Sequence, residues 1–338
     1  MDKSKLIVER GGSIHQEATR NAGRGNELAQ AMIDHLQRYH SMSEIRDYDV
    51  QEQILEDELE NIRNPRKLPF EKGLPTYSPS SASKMDLELW YKAKKYKRDE
   101  SEFLPYQRRW VRNGSAVHSA VQKDLLMAEV HLKNPAFKVA RMPNGSAMWE
   151  DNLKNVKQFD HDGQRFQIFG MMDGILEYKD GSKIGFEFKT KSTTIATVGE
   201  FLMKDAQEGH KIQAIAYSLL FGVDEFIFLY ESVAKDGWMK GKDAKMDMRA
   251  FYFRPTQEQK DELLSKFARV TKHVVEDVKP EFEKDAGMFF FCAYKEQMAK
   301  DADPKFIEFM AEQEAIEEAR KRKAEIAKQK RLQKKGAK

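Results

Sequence analysis

Cysteine is nearly absent from this chain: Cys292 is the one thiol in 338 residues. A lone cysteine excludes a disulfide framework within the chain, and it excludes an all-cysteine zinc or iron–sulfur site. Long apolar runs are missing too, none coming near the roughly 20 residues that a membrane span needs. The opening MDKSKLIVERGG carries no apolar segment of the signal-peptide kind. A soluble, cytoplasmic protein with no membrane contact is the expectation. No GxxxxGK[ST] loop occurs, which excludes an ATP-driven motor of that type in this sequence. Excess charge of one sign is also scarce: 58 Lys and Arg stand against 55 Asp and Glu, a net +3. Any nucleic-acid contact would have to come from local patches and not from the overall field of the molecule.

Apolar residues at 40% and aromatics at 11% are ample for a packed core. Residues 1 to about 25 are polar and hold four glycines, as a loose arm would. From Asn26 the run LAQAMIDHLQRYH sets Leu28, Met32 and Leu36 at helical spacing, and DVQEQILEDELENI follows as an acidic helix. The segment RNPRKLPFEKGLPTYSPSS carries four prolines and reads as a linker, so residues 1–70 form an accessory helical region. Ser78-Pro79-Ser80 starts a basic helix rich in aromatics, ASKMDLELWYKAKKYKR, and a long helix begins near Tyr106. FKVARM and VKQFD are short strand candidates. GHKIQAIAYSLLFG reads as a helix, EFIFLYES and MRAFYFRP as strands, and TQEQKDELLSKFARVTKHVVEDV as a helix capped by Thr256. The order is that of an α/β domain over 71–300. Residues 301–338 are a charged helix, acidic first and basic last, complementing the helix dipole.

The centre of the chain is GMMDGILEYKDGSKIGFEFKTK, residues 170–191. Two apolar runs separated by an Asp-Gly turn make a β-hairpin pattern. Side chains alternate along a strand, so Glu187 and Lys189 share a face and Phe188 takes the other. Asp173 and Glu187 each sit among apolar residues. Two carboxylates brought together repel unless a cation lies between them, and hard divalent ions such as magnesium or manganese prefer oxygen ligands. Taken alone, a Glu-x-Lys pair on a hairpin edge is also an ordinary surface feature.

Four short patterns stand in order: Gly114-Ser115-Ala116-Val117-His118, Gly170-Met171-Met172-Asp173-Gly174, Glu187-Phe188-Lys189-Thr190-Lys191 and Gln213-Ala214-Ile215-Ala216-Tyr217. Together, over residues 76–300, they resemble the RecB-type branch of the PD-(D/E)xK nuclease superfamily. The resemblance implies a restriction-endonuclease-like α/β core, a mixed central sheet flanked by helices, with helical N-terminal and C-terminal extensions. It implies that His118, Asp173, Glu187 and the Phe188 carbonyl hold Mg2+ or Mn2+, and that Lys189 orients the attacking water and stabilises charge on the phosphate. Gln213 and Tyr217, four apart on one helical face, would act at the catalytic strands or on the DNA backbone, with Lys191 as a phosphate contact. Trp90, Tyr91, Tyr96 and Trp110, interleaved with Lys92, Lys94, Lys95, Lys97, Arg108 and Arg109, either stack on unpaired bases and hold the backbone or are core with wet lysines around them.

Many members of that branch close the domain with a four-cysteine iron–sulfur cluster. Here YSPSSASKMDLELWYK carries no cysteine, and the later positions are Phe289, Cys292 and Met298. One thiolate cannot hold such a cluster, so none is expected, and apolar packing of Phe289, Phe290, Phe291 and Met298 is expected in its place. The implied activity is a metal-dependent DNA exonuclease of recombination or DNA processing, encoded by a phage or mobile element, with an annealing or replication protein as a possible partner. The alternatives are an endonuclease or RNase of the same fold and a noncatalytic DNA-binding recombination mediator.

Overall fold

The computed structural model describes residues 23–100, 104–284 and 292–336, without the side chains of 328 and 330–336. The arm before residue 23 and Phe289, Phe290 and Phe291 lie outside the described residues. The chain forms two compact units, one of Met1–Ala82, Phe103–Phe159 and Gln167–Leu264, the other of Ser83–Glu102, Asp160–Phe166 and Ser265–Lys338.

In the first unit, helix α1 (23–40) turns Leu28, Met32, Ile33 and Leu36 inward, the stripe that a 3.6-residue period produces. Helix α2 (Tyr48–Arg63) starts where the Asp47 carboxylate accepts the Val50 N–H. The proline-rich stretch after it ends as strand β1 (Thr76–Tyr77) and not as a free linker. One buried amide explains this: Gln167 donates to the Glu71 carbonyl and the Thr76 hydroxyl, both at 3.0 Å, and accepts the Glu71 N–H. Beyond β1 the expected basic helix is short. Helix α3 (Asp86–Ala93) spans eight residues, and the six from Asp86 to Tyr91 are all buried.

Helix α4 (Pro105–His131) is continuous through Gly114, where a Cβ would lie 3.3 Å from the Thr190 hydroxyl. Glycine there lets the helix approach a strand closely. Strands β2 (Phe137–Val139), β3 (Lys154–His161), β4 (Gln164–Met171), β5 (Gly174–Tyr178) and β6 (Lys183–Lys191) follow. Then come helix α5 (Glu208–Phe221) and strands β7 (Phe226–Ser232) and β8 (Met248–Phe253). The large sheet runs β2-β5-β6-β7-β8, with β6 and β7 parallel and the other pairs antiparallel; β1, β4 and β3 form a small second sheet. The expected core, a mixed central sheet flanked by helices, is the architecture found.

Both faces of the large sheet are covered, and β7 shows why its sequence is apolar throughout. Ile227 and Leu229 enter the core shared with α1 and α4, whereas Phe226, Phe228 and Tyr230 enter the core shared with α5. The β5–β6 turn is the expected Asp-Gly one: Gly181 has φ +84° and the Asp180 carboxylate accepts the Ser182 N–H. Arg24 of α1 grips Asp180 at 2.8 Å and Glu225 at 2.6 Å, fastening α1 to the hairpin and to the start of β7.

The second unit contains α3, the later turns of helix α6 (Gln257–Val275), helix α7 (Lys295–Lys300) and helix α8 (Pro304–Gly336). Trp90 and Tyr91 are core here. The Trp90 indole donates to the His273 carbonyl, and Tyr91 stacks on Tyr294 and donates to Asp301. Met298 and Cys292 are buried in the same unit, and burial pushes the Cys292 thiol up to about 11. Helix α6 begins at the expected cap, the Thr256 hydroxyl accepting the Gln259 N–H. Along α8 the exposed charges pair at four-residue spacing, as Lys321 does with Glu317.

His35 of α1 is fully buried against the edge of Phe137, with neither ring nitrogen hydrogen-bonded among the described residues. Burial, with the Arg38 charge adding, lowers its pKa from the usual 6.5 to about 4. The unfolded chain therefore takes a proton near pH 6.5 that the folded chain refuses until about pH 4. Its contribution to stability is complete above pH 6.5 and is lost as pH falls toward 4, a loss of about 3 kcal/mol. Denaturant unfolding of the wild type and of His35→Leu at pH 7.5 and 4.5 is expected to show a smaller pH loss in the variant.

Candidate active site

The site lies in the first unit, where the chain leaves the small sheet after Met171 and joins the large one at Gly174. Asp173 stands in that crossing, two residues before Ile175, whose side chain enters the α5-side core. On β6, Ile184, Phe186 and Phe188 enter the opposite core, so alternation turns Glu187 and Lys189 toward α5. In the parallel pairing Glu187 lies beside Phe228 and Lys189 beside Tyr230. A backbone bond ties the acid of the crossing to β6: the Phe188 N–H donates to the Asp173 carboxylate at 2.8 Å. The Phe188 carbonyl projects from the same side of the strand as its N–H.

His118 reaches the crossing from α4, its ring 5.6 Å from that of Phe188. One turn later on α4, Gln122 donates to the Asp173 carbonyl at 3.1 Å. Gln213 and Tyr217 of α5 close the other side. Gln213 donates to the Tyr217 hydroxyl at 2.8 Å, and that hydroxyl donates to the Met171 carbonyl at 2.6 Å. Burial, with Glu187 and Asp173 adding, raises the Tyr217 pKa and keeps the phenol a neutral donor. The bond to Met171 anchors the backbone two residues ahead of Asp173.

Three groups, His118, Glu150 and Asp173, present ligand atoms within 4.8 Å of one another. Glu150 escaped sequence reasoning. It belongs to the turn before β3, 23 residues ahead of Asp173 in the sequence, with φ +30° and its N–H bonded to the Met172 carbonyl. No motif marks it; only an acidic pair, Glu150-Asp151, between two strand candidates hinted at it. The His118 Nδ1 is 3.5 Å from the Glu150 carboxylate. Gln122, the other residue not anticipated, sits four residues from His118 and so shares its helical face.

Glu187 is 1% exposed, with one oxygen on the Lys189 ammonium and the other buried without a hydrogen-bond partner among the described residues. Lys189 also lies 4.0 Å from Asp173. Burial, with the Asp173 charge adding, pushes the Glu187 carboxyl up against the pull of Lys189. Burial, with Asp173 adding and His118 opposing, raises Glu150 as well. For Lys189, burial works against the charge, but Glu187 and Asp173 outweigh it and its pKa rises. Two carboxylates, Asp173 and Glu187, thus share one ammonium, and the half-exposed Glu150 adds a third negative charge beside His118, an arrangement short of positive charge. The buried His118 Nε2 is likewise without a partner among the described residues. The His118 imidazole and the Asp173 and Glu150 carboxylates fit a hard divalent cation; Glu187, expected in that set, is not part of the group within 4.8 Å, although one of its oxygens is orphaned among the described residues. A cavity of about 120 Å³ opens at Glu150, lined also by Ser119, Gln122 and Asn152.

The proposed nucleic-acid contacts are dispersed. Arg108, Arg109 and Trp110 are exposed on the first turns of α4, Trp110 being 51% exposed. Eight residues of helix separate Trp110 from His118, about 12 Å of rise. Lys191 is half-buried on β6, its ammonium 5.3 Å from the Tyr230 ring centre.

No family model matches the chain, and no curated protein does. Its fold is similar to several solved structures. SSO0001 matches at 15% identity and a TM-score of 0.37, over 72% of this chain and 93% of that one. LHK-Exo, an alkaline exonuclease from Laribacter hongkongensis, matches at 9% identity and 0.37, over 60% and 90%. A phage-related exonuclease from Haemophilus somnus 129PT matches at 11% identity and 0.32, over 60% and 95%. At these scores the likeness carries no functional argument, and the chemistry rests on the chain's own side chains.

Replacing Gln122 with Leu removes the amide that holds the Asp173 carbonyl and leaves that acceptor unmatched in a buried place. A cost of about 1–3 kcal/mol in stability is expected, read as a lower denaturant midpoint at unchanged slope.

Proposed function

We propose that this protein is a divalent-metal-dependent nuclease of the RecB-type PD-(D/E)xK class, hydrolysing DNA phosphodiesters from an end in recombination or DNA processing. The observation that carries the reading is the convergence of His118, Glu150 and Asp173 beside a buried Glu187, one of whose oxygens lacks a partner among the described residues while the other meets Lys189. Mg2+ or Mn2+ would be held by His118, Asp173 and Glu187, with Glu150 as a further carboxylate and the Phe188 carbonyl within the same edge. Bound there, such a cation supplies Lewis-acid polarisation of a phosphate oxygen and lowers the pKa of a water.

The chain's own groups do the rest. Lys189 stands between Asp173 and Glu187, where its ammonium orients a water and takes up charge that develops on the phosphate. Tyr217 and Gln213 fix the Met171 carbonyl, and Gln122 fixes that of Asp173, so the acid at the crossing keeps its aim. Trp110, Arg108 and Arg109 would meet the DNA further along α4. The preference for an exonuclease follows the resemblance of the four motifs.

Lys189→Ala is expected to lower cleavage by about 10²-fold or more while DNA binding persists, and EDTA is expected to abolish cleavage in the wild type. End-labelled linear DNA should be degraded while a closed circle survives; loss of the circle would instead assign an endonuclease. Manganese titration of Glu150→Gln is expected to show affinity reduced by about tenfold or more, and an unchanged affinity would remove Glu150 from the ligand set.

A further inference from the structure

Beside the candidate centre, on the same face of the large sheet, a second group of side chains has no role in the reaction as drawn. Tyr230 of β7 is fully buried, and its hydroxyl lies 3.0 Å from the Gln207 N–H and 2.7 Å from the His210 Nδ1. The hydroxyl oxygen accepts the Gln207 N–H, so its own proton needs an acceptor, and among the described residues the one in reach is His210 Nδ1. That assignment makes Nδ1 the accepting nitrogen and leaves the proton of a neutral imidazole on Nε2. The His210 ring stacks on the Tyr230 ring with centres 5.7 Å apart, which holds the imidazole in a single orientation. Its Nε2 is not buried and has no hydrogen-bond partner among the described residues. Burial, with Lys189 and Lys191 adding, lowers the His210 pKa to about 4, so the ring is neutral at physiological pH.

Lys191 lies over the same tyrosine, 5.3 Å from the ring centre, and no carboxylate pairs with it among the described residues. Of the two acids that act on Tyr230, Glu187 is taken by Lys189 and Asp205 by Lys211 at 2.5 Å. Lys191 and Lys189 are two apart on β6 and therefore share a face. A buried phenol thus carries two donors without acceptors, an ammonium and an imidazole N–H, in line with the lysine of the candidate centre.

We infer that Lys191 and His210, seated on Tyr230, form a phosphate-binding subsite for a backbone phosphate next to the one that reacts. The inference rests on the nuclease reading for the identity of its ligand, but not for the donors themselves. The ammonium supplies charge and the imidazole supplies a directed hydrogen bond, so the two residues have different signatures.

The test uses the full chain in EDTA with a labelled single-stranded thymidine oligomer, read by fluorescence anisotropy, with one phosphate at a time replaced by a neutral methylphosphonate. In the wild type one position is expected to weaken binding about tenfold. His210→Ala is expected to weaken the unmodified oligomer by a similar factor and to abolish the effect of that one methylphosphonate. Lys191→Ala should flatten the dependence of log affinity on log salt by about 0.7, whereas His210→Ala leaves that slope unchanged. His210→Gln, which keeps an N–H donor, should recover part of the affinity, and Tyr230→Phe should lose it as His210→Ala does. Independent, additive effects of His210→Ala and the methylphosphonate at every position would overturn the subsite, as would wild-type affinity in His210→Ala. A parallel cleavage assay with Mg2+ separates the two readings. Coupling without cleavage keeps the subsite and removes the nuclease, and cleavage without coupling does the reverse.

Discussion

Like-charge repulsion at one point of the fold is the constraint on which the rest depends. Asp173 and Glu187 are held around a single ammonium at the place where the chain changes sheets, and Glu150 meets Asp173 there beside His118. In water these acids would separate; here they are fixed by the backbone. The Phe188 N–H ties Asp173 to β6, and the Met172 carbonyl ties Glu150 to the crossing. Burial then strengthens the electrostatics around Glu187, which is 1% exposed. The arrangement is tolerable to a folded protein because Lys189 offsets part of the charge, and a divalent cation would offset the remainder.

Holding such a group requires rigid surroundings. The large sheet is covered on both faces, by α1 and α4 on one and by α5 on the other. Two of them, one on each face, send a polar side chain back to the crossing. Gln122 of α4 takes the Asp173 carbonyl and Tyr217 of α5 takes that of Met171. Main-chain acceptors that would otherwise be unmatched at a break between two sheets are thereby satisfied. Gly114 contributes by what it lacks, since its missing side chain lets α4 come down onto Thr190 and carry His118 to the site.

Tyr230 shows the same economy on the next part of the strand pair. Its ring is core, its hydroxyl meets the Gln207 N–H at the start of α5, and its ring and hydroxyl contact Lys191 and His210. A residue that periodicity assigns to packing also holds two polar side chains, by a ring contact to Lys191 and a hydrogen bond to His210.

Much of this was legible from the amino-acid order because it depends on local rules. A period of two put Glu187 and Lys189 on one face, a period of 3.6 brought Gln213 to Tyr217, and Asp180-Gly181 demanded a tight turn. The apolar stripe of α1 and the cap at Thr256 followed from equally short-range chemistry. What adjacency could not convey is which distant segments meet. Glu150 joins His118 and Asp173 because a turn before β3 folds against the crossing, and no spacing announces that. Gln167 converts a proline-rich stretch into a strand through bonds across more than 90 residues. Trp90 and Tyr91, open to two roles as letters, are core because partners near residues 273 and 294 cover them. The sequence alone determined the kinds of groups available and the faces they occupy; only tertiary structure decided their convergence, since that depends on contacts between segments far apart in the chain.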